Sequence, residues 1–141
     1  MEKANSVYER VVKLIPHKKF TFGKLWIQYA QFCLRCNDIE KARKVFGRSI
    51  GLFPKKKVFK AYIELEEQLC QLERVRQIYE KYCEKFAHLP LPWIEFASFE
   101  LNLEEHDRCR QILEMAQQLN VEGIPDGEEF IQQAQMELEN G

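Results

Sequence analysis

Glycine and proline are scarce in this chain, six and five of 141 residues, and they fall between long periodic stretches rather than within them. No stretch of four or more residues alternates cleanly between apolar and polar. No Asn-Gly or Asp-Gly joins two such stretches, since Asp126-Gly127 lies between helical patterns. A hairpin-based β fold is therefore excluded. No apolar run approaches the ~20 residues a membrane span needs, so no membrane partner is expected. A charged start followed by an apolar stretch and a small-residue cleavage site is also missing, which argues against secretion. Cysteine is limited to Cys33, Cys36, Cys70, Cys83 and Cys109, an odd count that reads as reduced thiols in the cytosol or nucleus. Net charge is nearly absent at −1, which removes the whole-chain electrostatic argument for nucleic-acid binding.

What remains is a globular profile, 45% hydrophobic and 30% charged, with enough length for one domain. The apolar residues recur at helical spacing. Trp26, Tyr29, Ala30, Phe32 and Cys33 form one stripe, and Ile39, Ala42, Val45, Phe46 and Ile50 form the next. The pattern predicts helices near 3–15, 23–36, 38–53, 57–71, 73–87, 91–103, 105–119 and 127–140. Pro16, Pro54 and Pro90 each follow a helix, and Asn37-Asp38 supplies a turn and an N-cap. Gly47 and Gly51, four apart inside one helix, read as positions of close packing. The fold class is all-α.

Sliding the chain by 33 or 34 residues superposes residue types. Trp26, Phe59 and Trp93 form one column, followed by Tyr29, Tyr62 and Phe96, then Phe32, Leu65 and Phe99. The second helix continues the frame with Ala42, Val75 and Cys109; Arg43, Arg76 and Arg110; Val45, Ile78 and Ile112; Phe46, Tyr79 and Leu113. Ala4, Val7 and Tyr8 open the chain in the second-helix frame, with Asn5 at the arginine position. Phe130, Ala134, Met136 and Glu137 close it in the first-helix frame. Two helices per period of this length mean an α-α superhelix of antiparallel pairs. The expected division is a half repeat at about 3–16, repeats at about 23–54, 57–90 and 91–120, and a half repeat at about 127–141. The aromatic columns are assigned to the core rather than to base stacking. Glu66 with Arg76, and Glu100 with Arg110, each ten apart, are expected to bond across the turn of one hairpin.

The offsets from Trp26 to Ala42, Phe46 and Ser49 match the tetratricopeptide frame, but its Leu-Gly pair is missing. Leu25-Trp26-Ile27-Gln28-Tyr29-Ala30-Gln31-Phe32, Val58-Phe59-Lys60-Ala61-Tyr62-Ile63-Glu64-Leu65-Glu66 and Pro92-Trp93-Ile94-Glu95-Phe96-Ala97-Ser98-Phe99-Glu100 instead resemble the half-a-TPR (HAT) repeat. A pentatricopeptide array has a similar period but lacks the aromatic first helix and the Glu and Arg columns. Leu14-Ile15-Pro16-His17-Lys18-Lys19-Phe20-Thr21-Phe22, Ser49-Ile50-Gly51 with Pro54-Lys55, and Tyr62-Ile63-Glu64-Leu65-Glu66 resemble the crooked-neck family of pre-mRNA splicing factors. That resemblance implies a nuclear, non-enzymatic spliceosome scaffold associated with the NineTeen complex, whose partners are other splicing proteins. The family carries many more repeats, which implies a shortened homologue or a fragment. A direct RNA-binding module, or a HAT scaffold of 3′-end processing or ribosome biogenesis, is the alternative.

No catalytic, cofactor or metal site is expected. Cys33-Leu34-Arg35-Cys36 is a CxxC at a helix end with no second pair at zinc spacing. His17, His88 and His106 have no ligand at a matching interval, and no phosphate loop or nucleophile triad is present. Charge is segregated, however. Residues 1–60 hold fifteen Lys or Arg against four Asp or Glu, and residues 61–141 hold six against eighteen, balances of +11 and −12. His17, Lys18 and Lys19, then Lys55, Lys56 and Lys57 with Lys60, collect before two first helices. Equivalent turns share one edge, about 20 Å apart at two helix widths. That edge is the candidate partner-binding surface, for an acidic protein segment or RNA. The incomplete terminal repeats and the opposite-charge ends are both candidate surfaces for self-association.

Overall fold

In the computed structural model, residues 2–14, 23–52 and 54–140 are described. They contain eight helices: α1 (Glu2–Leu14), α2 (Gly23–Arg35), α3 (Ile39–Leu52), α4 (Lys56–Gln68), α5 (Leu72–Lys85), α6 (Pro90–Asn102), α7 (His106–Gln118) and α8 (Gly127–Asn140). No strand occurs among the described residues. The chain divides into two units, Met1–Ile78 and Tyr79–Gly141. Within the first, α2 packs on α3 and both meet α4; within the second, α6 packs on α7 and α7 on α8.

Each hairpin turns by the same device, and no glycine is involved. Asn37, Cys70 and Glu104 adopt φ of 60°, 57° and 62°, one per hairpin at the repeat interval. The amide after each donates back five residues, Asp38 to Cys33, Gln71 to Glu66 and Glu105 to Glu100, at 2.9 Å in all three. This six-to-one bond is the Schellman closure, which satisfies carbonyls left open at a helix end. Asn120, at φ 60°, ends α7 the same way, with Val121 donating to Ala116 at 3.2 Å. Asp38 then caps α3 as its side chain predicts, accepting from the Lys41 amide at 3.1 Å. Pro90 does more than follow a helix. It opens α6, where its fixed φ suits the first helical position.

The cores of the two units are built from the repeated columns. In the first unit Trp26, Tyr29, Phe46, Phe59 and Val75 are buried, while Phe32 and Tyr62 are half-buried. In the second, Trp93, Phe96 and Phe99 are buried, and Ala97, Cys109, Leu113 and Ile131 form a cluster backed by Leu101, Ile112, Ile124 and Phe130. The Trp93 indole N–H donates to the Ala87 carbonyl at 3.1 Å and fixes the α5–α6 loop. Gly47 and Gly51 are not packing positions. Both are exposed on α3, and a Cβ at either would meet nothing within 4 Å. At Gly127 a Cβ would meet the Arg110 backbone at 3.4 Å, an ordinary packing contact, so α8 begins against α7.

Candidate partner-binding surface

The joint between consecutive hairpins is an aromatic stack that recurs in register. Tyr8 of α1 stacks on Tyr29 of α2 with centroids 5.0 Å apart and planes at 4°. Phe46 of α3 stacks on Tyr62 of α4 at 5.1 Å and 10°. Tyr79 of α5 stacks on Phe96 of α6 at 5.2 Å and 4°. A tilted neighbour repeats as well: Tyr8 with Phe32 and Tyr79 with Phe99, both at 5.4 Å and 36°. Each stack joins the second helix of one hairpin to the first helix of the next. Such pairs contribute about 0.5–1.5 kcal/mol beyond their area burial.

One turn beyond the stack lies the ion pair. Arg43 is three residues before Phe46 and Glu66 four after Tyr62, so in facing helices they meet. Arg43 Nε donates to Glu66 Oε1 at 2.7 Å and Nη2 to Oε2 at 3.3 Å, while Nη1 reaches Glu40 at 2.8 Å. Glu66 is fully buried. The pairing expected with Arg76 across its own turn is thus corrected: both Glu66 oxygens go to the preceding hairpin, because Glu66 lies on the stripe of α4 that faces α3. Arg76 bonds Glu73 at 2.6 Å. Arg110 pairs with Asp107 at 2.9 Å and with Glu128 of α8 at 2.6 Å. Glu100 is 1% exposed. At the first joint the equivalent positions are Asn5 and Cys33, so the cation and the anion are replaced together.

That first joint carries a different network. Glu9 of α1 accepts from the Tyr29 hydroxyl at 2.6 Å and from Arg48 at 2.8 Å, and the Arg48 guanidinium lies 5.5 Å over the Trp26 ring. The Tyr29 bond is the main reason the Glu9 carboxyl is held below its ordinary range, against desolvation and with help from Arg48. Burial, then Glu9, pushes the Tyr29 phenol up. Burial also raises the thiols of Cys33 and Cys109, and takes Cys83 to about 12. These three are packing groups rather than nucleophiles. No group of three or more His, Cys, Asp or Glu able to hold a metal occurs among the described residues.

Of the seven residues of the basic edge, the structure describes four. His17, Lys18 and Lys19 lie outside the described residues. Lys55 occupies the N-cap of α4 in an extended conformation, φ −123° and ψ 138°, without a side-chain cap. Val58 and Phe59, both 0% exposed, anchor the first turn inward, which turns Lys56, Lys57 and Lys60 outward, all three exposed. Lysines at a helix N-terminus oppose the macrodipole and each other, at a cost of roughly 0.3–1 kcal/mol apiece. Together they give this helix end a positive charge. In the second unit a groove of about 510 Å³ between α7 and α8 has four carboxylates in its lining, Glu104, Glu105, Asp107 and Glu128, beside Arg110.

Two features escape a linear reading of the sequence. The positive-φ residues carry a repeat signal, positions 37, 70 and 104, but no residue type marks them. The direction of the Arg–Glu pair is encoded in the joint loss of both charges at Asn5 and Cys33.

The chain matches the family described as "Pre-mRNA-splicing factor Syf1/CRNKL1 C-terminal HAT repeat" over residues 1–139. It is 49% identical over 115 residues to crooked neck-like protein 1 of Homo sapiens, covering 82% of this chain and 14% of that protein. To pre-mRNA-splicing factor CLF1 of Kluyveromyces lactis it is 47% identical over 126 residues, 89% of this chain and 18% of the relative. Protein crooked neck of Drosophila melanogaster is 45% identical over 117 residues, 83% and 17% respectively. The chain spans less than a fifth of the length of these relatives.

Proposed function

Because this chain belongs to the HAT-repeat family of pre-mRNA-splicing factor Syf1/CRNKL1, we propose that it is a non-enzymatic scaffold segment of the nuclear splicing machinery, holding protein subunits of the spliceosome and of its NineTeen complex. The observation that carries this reading is identity of 45–49% to splicing factors along more than four-fifths of the chain. The physical design supports it. Within each unit the hairpins are joined by stacked rings, and in the first also by a buried ion pair, which keeps polar side chains on the outer faces. The contact surface is the α4 entrance, Lys55, Lys56 and Lys57 with Lys60. An acidic protein segment is its occupant.

Direct RNA contact through the same lysines is the second reading, favoured by their clustering at one helix end. The two readings separate by salt and by ligand. Binding to any single strand with a steep salt slope supports RNA. The experiment for the main reading is affinity purification from nuclear extract after nuclease treatment, read by mass spectrometry. Recovery of splicing subunits supports it. Recovery of 3′-end cleavage factors or ribosome-assembly factors instead overturns it.

A further inference from the structure

Charge on the exposed face of α4 changes sign halfway along the helix. Lys57, Lys60, Glu64 and Glu67 follow one another at three or four residues and are all exposed, so they form one stripe, with Lys56 at its margin. Helical rise sets Lys57 and Glu67 about 15 Å apart along the axis. Glu66 takes no part, since it is buried against Arg43. This order is the reverse of the one the macrodipole favours, acid in the first turn and base in the last. A second observation shows that the acidic half repels itself. The Glu67 carboxyl is raised above its ordinary range by partial burial and then by the charge of Glu64, one turn before it. α2 packs beside α4, exposes Gln28 and Gln31 between Lys24 and Arg35, and carries no carboxylate. Its amides donate and accept, and the change of sign belongs to α4.

We propose that this face takes an α-helix of a splicing protein, lying along α4 and parallel to it, with acidic side chains in its first two turns and basic ones about two turns later. The proposal rests on the reading of α4 as a protein contact, and it adds the form and the direction of the partner. A helix whose charges follow its own macrodipole carries acid first and base last. Laid parallel to α4, it sets acid against Lys57 and Lys60 and base against Glu64 and Glu67. Laid antiparallel, it sets like charge against like at both ends. The macrodipoles alone favour the antiparallel arrangement, but each amounts to about half a charge per end, against two or more side-chain charges on the stripe. A strand of RNA fits only half of this face, because its phosphates would meet Glu64 and Glu67.

Fluorescence anisotropy at low salt, with the full chain and a lactam-stapled, alanine-rich helix of about 18 residues, reads this directly. The ordered probe carries two Glu in its first two turns and two Arg two turns later. A control probe has the same composition with the charges interleaved. The ordered probe is expected to bind about tenfold more tightly than the control and than an oligouridine strand. Glu64→Lys combined with Glu67→Lys weakens it about tenfold, and replacing the arginines of the probe with glutamates recovers the loss. Both substitutions bring α4 into line with its macrodipole, so unfolding does not account for the weakening, and an unchanged melting curve checks this. A nitroxide at the N-terminus of the ordered probe broadens the amide signals of Lys56 and Lys57 and spares that of Gln68. Equal binding of the two probes, no saturable binding of either, or broadening at Gln68 in place of Lys57 overturns the inference, while the protein-contact reading still stands or falls by the purification. Tighter binding of oligouridine, strengthened further by Glu64→Lys with Glu67→Lys, overturns both.

Discussion

Arg43 and Glu66 stand 23 residues apart in the chain, in neighbouring hairpins, and the guanidinium holds both oxygens of a carboxylate that has no contact with solvent. The pair follows from the stack one turn away, since Phe46 on Tyr62 brings the two helices together at that level. Its value lies in geometry. A buried ion pair adds little net stability over an apolar replacement, yet removing one partner strands the other.

Arg43→Ala is therefore expected to destabilise the protein by about 2–3 kcal/mol, below the ~3–5 kcal/mol of a fully enclosed pair because the arginine lies at the edge. Replacing both, Arg43→Met with Glu66→Leu, recovers most of that loss. Urea denaturation of the two single variants and the double variant measures the coupling, and additive losses would contradict the assignment.

The same register carries a second test. Cys33→Glu alone buries an unmatched carboxylate at the first joint and lowers the melting temperature. Asn5→Arg added to it restores a pair of the Arg43–Glu66 kind and raises the temperature again. Thermal melts of the single and double variants check this, and a double variant less stable than Cys33→Glu refutes the shared frame.

Glycine is misplaced for stability in two ways. Glu104 holds a left-handed φ of 62° with a side chain that penalises it, and Gly47 occupies an open helix interior with no contact to gain from it. Glu104→Gly and Gly47→Ala should each stabilise by about 0.5–1 kcal/mol, read as a shift in the urea midpoint at constant slope.

Glu9 links folding to acid. Its folded pKa is depressed, chiefly by the Tyr29 hydroxyl, so its contribution is complete above its ordinary value of 4.5 and is lost as pH falls through the lower folded value. Tyr29 behaves oppositely. Its folded pKa is raised, so its contribution is complete below its ordinary value of 10.0 and fades as pH rises toward the higher one. Glu9→Gln should flatten the acid limb of a stability-against-pH curve, and an unchanged acid limb would contradict the network.

Much of this architecture is legible in the sequence because a repeat samples each position several times. The helices, the aromatic columns and the Asp38 cap follow from periodicity and side-chain chemistry alone. The partner of Glu66 does not, because ten-residue and 23-residue pairings both fit the columns and only the facing of α3 and α4 decides. The turns at Asn37, Cys70 and Glu104 share a backbone conformation rather than a residue type, so composition hides them. Glu137 shows the opposite failure. It stands in the frame of Glu66 and Glu100 yet is exposed, because α8 seats against α7 through Gly127 and Ile131. At the candidate surface, the lysines before α4 are plain in the sequence. Their outward aim depends on the burial of Val58 and Phe59.

The central proposal is that this HAT-repeat segment meets a splicing protein at the entrance of α4. The most direct measurement is quantitative co-purification with native chain and with the Lys55→Glu, Lys56→Glu, Lys57→Glu variant, side by side at low ionic strength, where screening is least. The account predicts that helical content and melting temperature barely change, while recovery of splicing subunits falls by about tenfold, or 1.4 kcal/mol. Equal recovery by the two chains would contradict it.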